Sequence, residues 1–257
     1  MSKKLKILSY ILIVLLIGGI VAVLVYSDKK TSVATIEKTH VEIVSPAINK
    51  ILSPYEIEEI INNEFVSASE EINIGNIEKT LNANPYIKKA EIYASVDGGI
   101  KAHIKLREPV ARVYEKSGSS YYIDESGHPF PLKKGWTAHV MVITGEWNEP
   151  YAKRHNLMHL DSLKSISLLD DAAYLTNRIN KSLFHKSLIE QIHVNNEKEF
   201  ELIPVIGRSY ILFGDTSHTD GKLKKLEIFY REGLNYTGYK DYTKINLKFK
   251  NQIICNK

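Results

Sequence analysis

Residues 84–113 read NPYIKKAEIYASVDGGIKAHIKLREPVARV. Two alternating runs flank a turn. Ile87, Ala90, Ile92, Ala94 and Val96 make the first, and Ile100, Ala102, Ile104 and Leu106 the second. A period of two puts one face of each strand on a core and the other in water. Asp97-Gly98-Gly99 lies between them, and glycine supplies the positive φ that a tight hairpin turn demands. Pro109 cannot donate to a sheet ladder, so the second strand stops or changes sheets there.

Upstream, Ile74 to Leu81 forms a short amphipathic helix with Ile74, Ile77 and Leu81 on one stripe, closed by Asn82, Asn84 and Pro85. Ser53-Pro54-Tyr55-Glu56 is a helix start: a serine cap, proline in the first turn and a glutamate three residues after the cap. Ile57, Ile60, Ile61 and Phe65 give that helix its buried stripe. His40 to Val44 alternates as a first strand. The order is therefore strand, helix, helix, strand, strand.

This order, with the hairpin ending in Arg107-Glu108-Pro109-Val110-Ala111, resembles the POTRA domain of the bacterial cell-division family FtsQ/DivIB. Ser45-Pro46 stands where that family usually has a glycine after the first strand. Farther on, Tyr121 to Leu132 (YYIDESGHPFPL) resembles the hairpin that opens the family's second domain, and Gly145 follows a strand over His139 to Thr144. Glu146 to Lys153 reads as loop. Leu157 to Leu183 has helical spacing with a break at Ser165 to Ser167. Ile189 to Val194, Phe200 to Ile206 and Tyr210 to Phe213 alternate as strands, with turns at Asn195-Asn196 and Gly207-Arg208. Phe213-Gly214 resembles another family position. Lys222 to Glu232 is an amphipathic helix. Tyr242 to Phe249 alternates through Ile245, Leu247 and Phe249 and resembles the family's closing strand.

Residues 7–26 carry no charge and only Ser9, Tyr10, Tyr26 and the small glycines interrupt an otherwise apolar run. At ~1.5 Å per residue, roughly 20 such residues cross a ~30 Å hydrocarbon core. Lys3, Lys4 and Lys6 precede the run, which favours a cytoplasmic amino terminus. A cleaved signal peptide is the competing reading, but its apolar region is shorter and no A-x-A-like site follows. The fold expected is therefore α+β. A cytoplasmic stub (1–6) leads to a transmembrane helix (7–26) and a tether (27–37). A POTRA domain of two helices on a three-stranded sheet (38–108) follows, then a mixed β-rich domain with flanking helices and a C-terminal edge strand (109–257).

No catalytic, cofactor or metal pattern emerges. The net charge of +4 is dispersed over the chain, so no nucleic-acid footprint stands out. The single cysteine, Cys255, makes neither a disulfide framework nor a structural zinc site. His155 and His159 are one helical turn apart but lack the glutamate of an HExxH motif. Asp215, Ser217, His218 and Asp220 have the residue types of a triad, yet six consecutive positions cannot bring three such groups together on a rigid scaffold. Asp170-Asp171 suits a helix start, and Lys222, Lys224 and Lys225 read as the wet side of a helix. Asn235-Tyr236-Thr237 fits a glycosylation sequon, a pattern that arises often by chance.

The resemblance implies a non-catalytic, single-pass inner-membrane protein of the division septum, with its bulk outside the cytoplasm. It also implies partners: FtsB- and FtsL-like bitopic division proteins and other divisome components, with no nucleic acid and no small-molecule substrate. In the family those bitopic partners bind near the last strand, which by position carries the contact to Lys248 and Phe249, with Leu247 as their inward neighbour. An open edge strand offers unpaired N–H and C=O groups to such a partner. Two other functions compete. An outer-membrane assembly or secretion component would carry tandem POTRA repeats and a barrel. An unrecognised envelope hydrolase would need converging titratable groups in a pocket.

Overall fold

The computed structural model describes residues 13, 15–20, 39–44, 51–67, 74–95, 99–145, 149–159, 167–234, 238 and 242–257. Residues 13 and 15–20, within the expected anchor, are helical. Among the described residues no helix is long and apolar enough to cross a membrane. The stub, the tether, Ser45-Pro46, Asp97-Gly98, most of the 7–26 run and the 235–237 sequon lie outside the described residues. The chain divides into two units, Met1–Leu106 and Arg107–Lys257.

In the first unit, Ser53 and Glu56 form a reciprocal cap. The Ser53 N–H donates to Glu56 Oε2 (2.8 Å) and the Glu56 N–H donates to Ser53 Oγ (3.2 Å). Two donors that a helix start would otherwise strand are thereby used. The helix they open, α1 (Pro54–Ser67), is followed by α2 (Ile74–Ala83). Strands β1 (Thr39–Ile43), β2 (Ile87–Ala94) and β3 (Ile100–Leu106) form a sheet in the order β1-β3-β2. β1 runs parallel to β3, and β2 antiparallel. The Ser95 N–H donates to Gly99 O (2.8 Å), closing the hairpin around its turn. Ile57, Ile61, Ile77, Leu81, Ala102 and Ile104 are buried, so the alternation of the hairpin and the stripes of both helices meet in one core. Asn82 does more than end α2. Its carboxamide accepts from the Ala90 N–H (2.9 Å) and donates to Ala90 O (3.2 Å), taking up one residue of the outer edge of β2.

Among the described residues the second unit is built on nine strands in the order β12-β11-β10-β9-β8-β7-β4-β5-β6. They are β4 (Ala111–Tyr114), β5 (Ser120–Ile123), β6 (Pro129–Phe130), β7 (Met141–Gly145), β8 (Ile189–Val194), β9 (Phe200–Pro204), β10 (Tyr210–Gly214), β11 (Lys244–Asn246) and β12 (Ile254–Asn256). The sheet is mixed: β4–β7, β7–β8 and β10–β11 pair in parallel. Parallel neighbours need a crossover. Between β7 and β8 it comprises α3 (Tyr151–His159), α4 (Leu168–Asn180) and α5 (Leu183–Leu188). Between β10 and β11 it is α6 (Thr219–Ile228), which runs on into a π-helical turn at Phe229–Gly233. Leu169, Leu175 and Ile179 of α4 and Leu223 and Leu226 of α6 bury against Val113, Ile143, Ile192, Leu202 and Phe213 of the sheet.

Two expectations are corrected, and a third, the break near Ser167, is met. The stretch Glu146 to Lys153 is not all loop, because α3 begins at Tyr151, directly after Pro150. The break near Ser167 is real: the Ser167 hydroxyl accepts from the Leu169 N–H (3.0 Å) and caps α4. The last correction bears on function. The expected closing strand over Tyr242 to Phe249 pairs only at Lys244–Asn246, and β11 is not an edge. It pairs with β10 on one side and with β12 on the other. The physical reason is that the chain turns back after Asn251, and Ile254–Asn256 lies antiparallel along β11.

Among the described residues the largest fully buried side chain is that of Arg154, 1% exposed. Its Nε and Nη2 donate to Gly127 O (3.0 and 2.9 Å), and its other partners are Glu149 (3.2 Å) and Asp170 (2.5 Å). The Ser167 hydroxyl donates to the same Glu149, and the Tyr121 hydroxyl donates to Glu149 O (3.0 Å). Burial pushes the Tyr121 phenol well above its usual range. The cluster joins the Asp124–Gly127 turn, the start of α3 and the start of α4. Nearby, Arg107 Nη1 donates to the buried Asp124 (2.7 Å).

Candidate functional site

β11 owes its direction to β10. The Tyr210 N–H donates to Thr243 O (3.1 Å) and the Leu247 N–H donates to Leu212 O (2.9 Å). Backbone groups alternate along a strand, so Ile245 and Leu247 face β10, and Lys244 and Asn246 face β12. Thr243, just before β11, serves both sides, its C=O accepting from Tyr210 and its N–H donating to Asn256 O (2.9 Å). Lys244 is opposite Asn256 and Asn246 opposite Ile254, which turns those two residues of β12 inward toward β11. Cys255 is the alternate residue. Its N–H and C=O point out of the sheet at its margin, where an added strand would take them up. Burial pushes the pKa of the Cys255 thiol up.

Beside this edge runs a groove of about 450 Å³ lined by Ile228, Phe229, Gly233, Gln252 and Ile253, with Lys225 and Glu232 as its charged members. The π-helical turn shapes it. Gly233 has no Cβ, and one added there would come within 2.9 Å of the Phe229 ring. Phe229 packs in turn on Tyr242, with ring centroids 6.2 Å apart. Wide helical turns of this kind recur at functional sites.

The three residues singled out from the sequence are neighbours of this edge rather than part of it. Leu247 is fully buried. Lys248 pairs with Glu199, which raises its pKa, and its stem covers Gly214. Phe249 is 44% exposed. Lys222 and Lys225 are not on the wet side of their helix: Lys222 is buried against Asp215 and Phe213, and Lys225 reaches the end of β11. The Lys225 ammonium donates to Leu247 O (3.2 Å) and to Phe249 O, and burial lowers its pKa. Lys225 thus fixes the bend that leads from β11 toward β12. No local pattern reveals this, because its acceptors lie more than twenty residues downstream.

The candidates for chemistry have structural employment. The Ser217 hydroxyl and N–H both donate to Asp215 (2.6 and 3.2 Å). The buried Lys222 donates to Asp215 Oδ1 and O (2.9 Å each) with Phe213 under its ammonium. Asp220 pairs with Arg178. His218, at φ 52°, precedes α6. His155 packs on Tyr151 and His128, and the side chain of His159 lies outside the described residues. Among the described residues no group of three or more His, Cys, Asp or Glu could hold a metal ion.

Ser217 first and Lys222 second hold the Asp215 carboxyl down at about 2. A carboxyl depressed in the folded state stabilises above its unfolded pKa, and that contribution is lost as pH falls from about 4 through 2. Because Asp215 is largely exposed, screening keeps its worth to roughly 0.5 kcal/mol. The clean readout is therefore the titration midpoint itself. A carbon-detected NMR titration is expected to place it near 2 and to show it rising toward the ordinary carboxylate value in Lys222→Met. An unchanged midpoint in that variant would remove Lys222 from the account.

Two comparisons define what this architecture is. Residues 34–105 match a POTRA-like domain, so the first unit belongs to a class of small α+β domains of two helices on a three-stranded sheet. Residues 108–256, more than half of the chain, match the family described as FtsQ/DivIB, C-terminal related, and the chain belongs to that family. No curated protein matches it. The two matches together point to a cell-division protein from families that are generally non-catalytic.

Proposed function

We propose that this chain is a non-catalytic scaffold of the divisome. Residues 7–26 anchor it in the inner membrane with the amino terminus in the cytoplasm, and it gathers FtsB- and FtsL-like bitopic partners at the septum. Such a partner adds an extended segment to the outer edge of β12, and an apolar side chain of that segment enters the groove between Phe229 and Ile253. Phe249 contacts the partner, Leu247 is the floor beneath it, and Lys248 holds the bend through Glu199. The observation that supports this reading most is the margin of the nine-stranded sheet, where Cys255 turns its backbone outward beside an apolar groove. Main-chain hydrogen bonds at such an edge give affinity, and the side-chain pocket gives specificity.

Depletion of the protein in growing cells, followed by microscopy, tests the role. Unseparated filaments with segregated chromosomes are expected. Cells that divide on schedule but lose outer-envelope proteins would reject it.

A further inference from the structure

The turn between β9 and β10 is built from Val205, Ile206, Gly207, Arg208 and Ser209. Turns favour Gly, Pro, Asn, Asp and Ser, each for a conformational reason. Gly207, at φ 102°, meets that need. Val205 and Ile206 do not, and each is 56% exposed, so their apolar surface serves no core. The tip is not slack. The Val205 N–H donates to Leu188 O (2.8 Å), which ties it to the end of α5. That helix repeats the composition: Leu183 is 86% exposed, and Lys181 and Lys186 on either side are exposed too. Across residues 181–190 and 203–210 the charges are Lys181, Lys186 and Arg208 against Glu190 alone. β4, β7 and β8 run parallel, and β10 runs with β8 across the antiparallel β9. The β9–β10 turn therefore lies at the end of the sheet where the chain comes in from Arg107.

We infer that this tip rests on an anionic lipid surface. A rigid pair of β-branched side chains enters the headgroup boundary, and the flanking Arg208 and Lys186 meet lipid phosphates with their stems along the apolar surface. The excess of positive charge chooses a lipid surface over an apolar protein groove. The inference rests on the reading of a membrane-tethered chain.

The test places a nitroxide at residue 206 (Ile206→Cys in a Cys255→Ser background) of the full chain in nanodiscs. One set contains phosphatidylglycerol and the other phosphatidylcholine alone. Collisions with oxygen and with a polar nickel chelate report depth. In the anionic discs oxygen access is expected to rise and nickel access to fall, and Arg208→Glu with Lys186→Glu abolishes the difference. A water-like signature in both lipids overturns the inference. So does shielding from both reagents, which would mean a protein partner or a second copy. Incorporation into discs reads the tether separately. A chain that stays out of them refutes the tether and is then floated with phosphatidylglycerol vesicles. There, Ile206→Asp and Arg208→Glu must each cut the bound fraction at least about fivefold for the lipid contact to stand.

Discussion

Arg154→Met is expected to destabilise the second unit by about 3–5 kcal/mol, the range for removing one member of a buried ion pair. Methionine fills much of the space but leaves Glu149 and Asp170 without their cation, and Gly127 O without two donors. The loss comes from these stranded groups rather than from volume. Adding Glu149→Gln and Asp170→Asn to Arg154→Met should therefore recover part of it. A Gly127→Ala change attacks the same cluster from the other side. Gly127 has φ 76°, and an added Cβ would stand 2.6 Å from Arg154 Nη2. Urea unfolding followed by tryptophan fluorescence reads the effect cleanly, since both tryptophans, Trp136 and Trp147, belong to the second unit. A midpoint shift at constant m-value is expected. A midpoint within about 0.5 kcal/mol of the parent, the scale of an ordinary surface substitution, would mean that the cluster contributes no net stability.

The second large effect is on binding. Cys255→Pro removes the outward N–H of β12 that an incoming strand would use, and the ring obstructs its approach. Proline is tolerated on an edge strand whose N–H faces outward, so the fold should survive. Affinity for the bitopic partner is expected to fall at least about tenfold, equivalent to ~1.4 kcal/mol, the upper part of what one hydrogen bond is worth. Cys255→Val keeps the N–H and changes only the side chain, so it should bind like the parent. Surface plasmon resonance on the two variants separates backbone from side chain. Equal losses in both would show that the thiol, not the strand edge, makes the contact.

The parts of this molecule that local chemistry dictates could be read before any coordinates. Ser53 and Glu56 announce their helix because the capping partners are three residues apart. The 84–113 hairpin announces itself because its period of two lies on one core face. Ser167 breaks the long helical pattern by capping α4. Long-range contacts left weaker traces. β11 was expected to run to Phe249 because Ile245, Leu247 and Phe249 alternate, but alternation says nothing about where a ladder ends. β12 has only three residues, Ile254–Asn256, too few to show an alternation, and it becomes a strand by lying along β11. Arg154 sits among polar neighbours in sequence, and its partners at Gly127, Glu149 and Asp170 come from separate elements. Lys225 likewise shows its role only through the carbonyls it reaches. The margin of the sheet lies one strand beyond where the periodicity of Ile245, Leu247 and Phe249 puts it.

Amide hydrogen exchange at Cys255, measured residue by residue with and without the bitopic partner, tests this most directly. If the partner adds a strand to β12, the Cys255 amide exchanges fast in the free chain and slows by at least an order of magnitude in the complex. Phe229 and Ile253 report the filled groove at the same time. A complex that forms while the Cys255 amide keeps its free-chain rate would contradict strand addition at this edge.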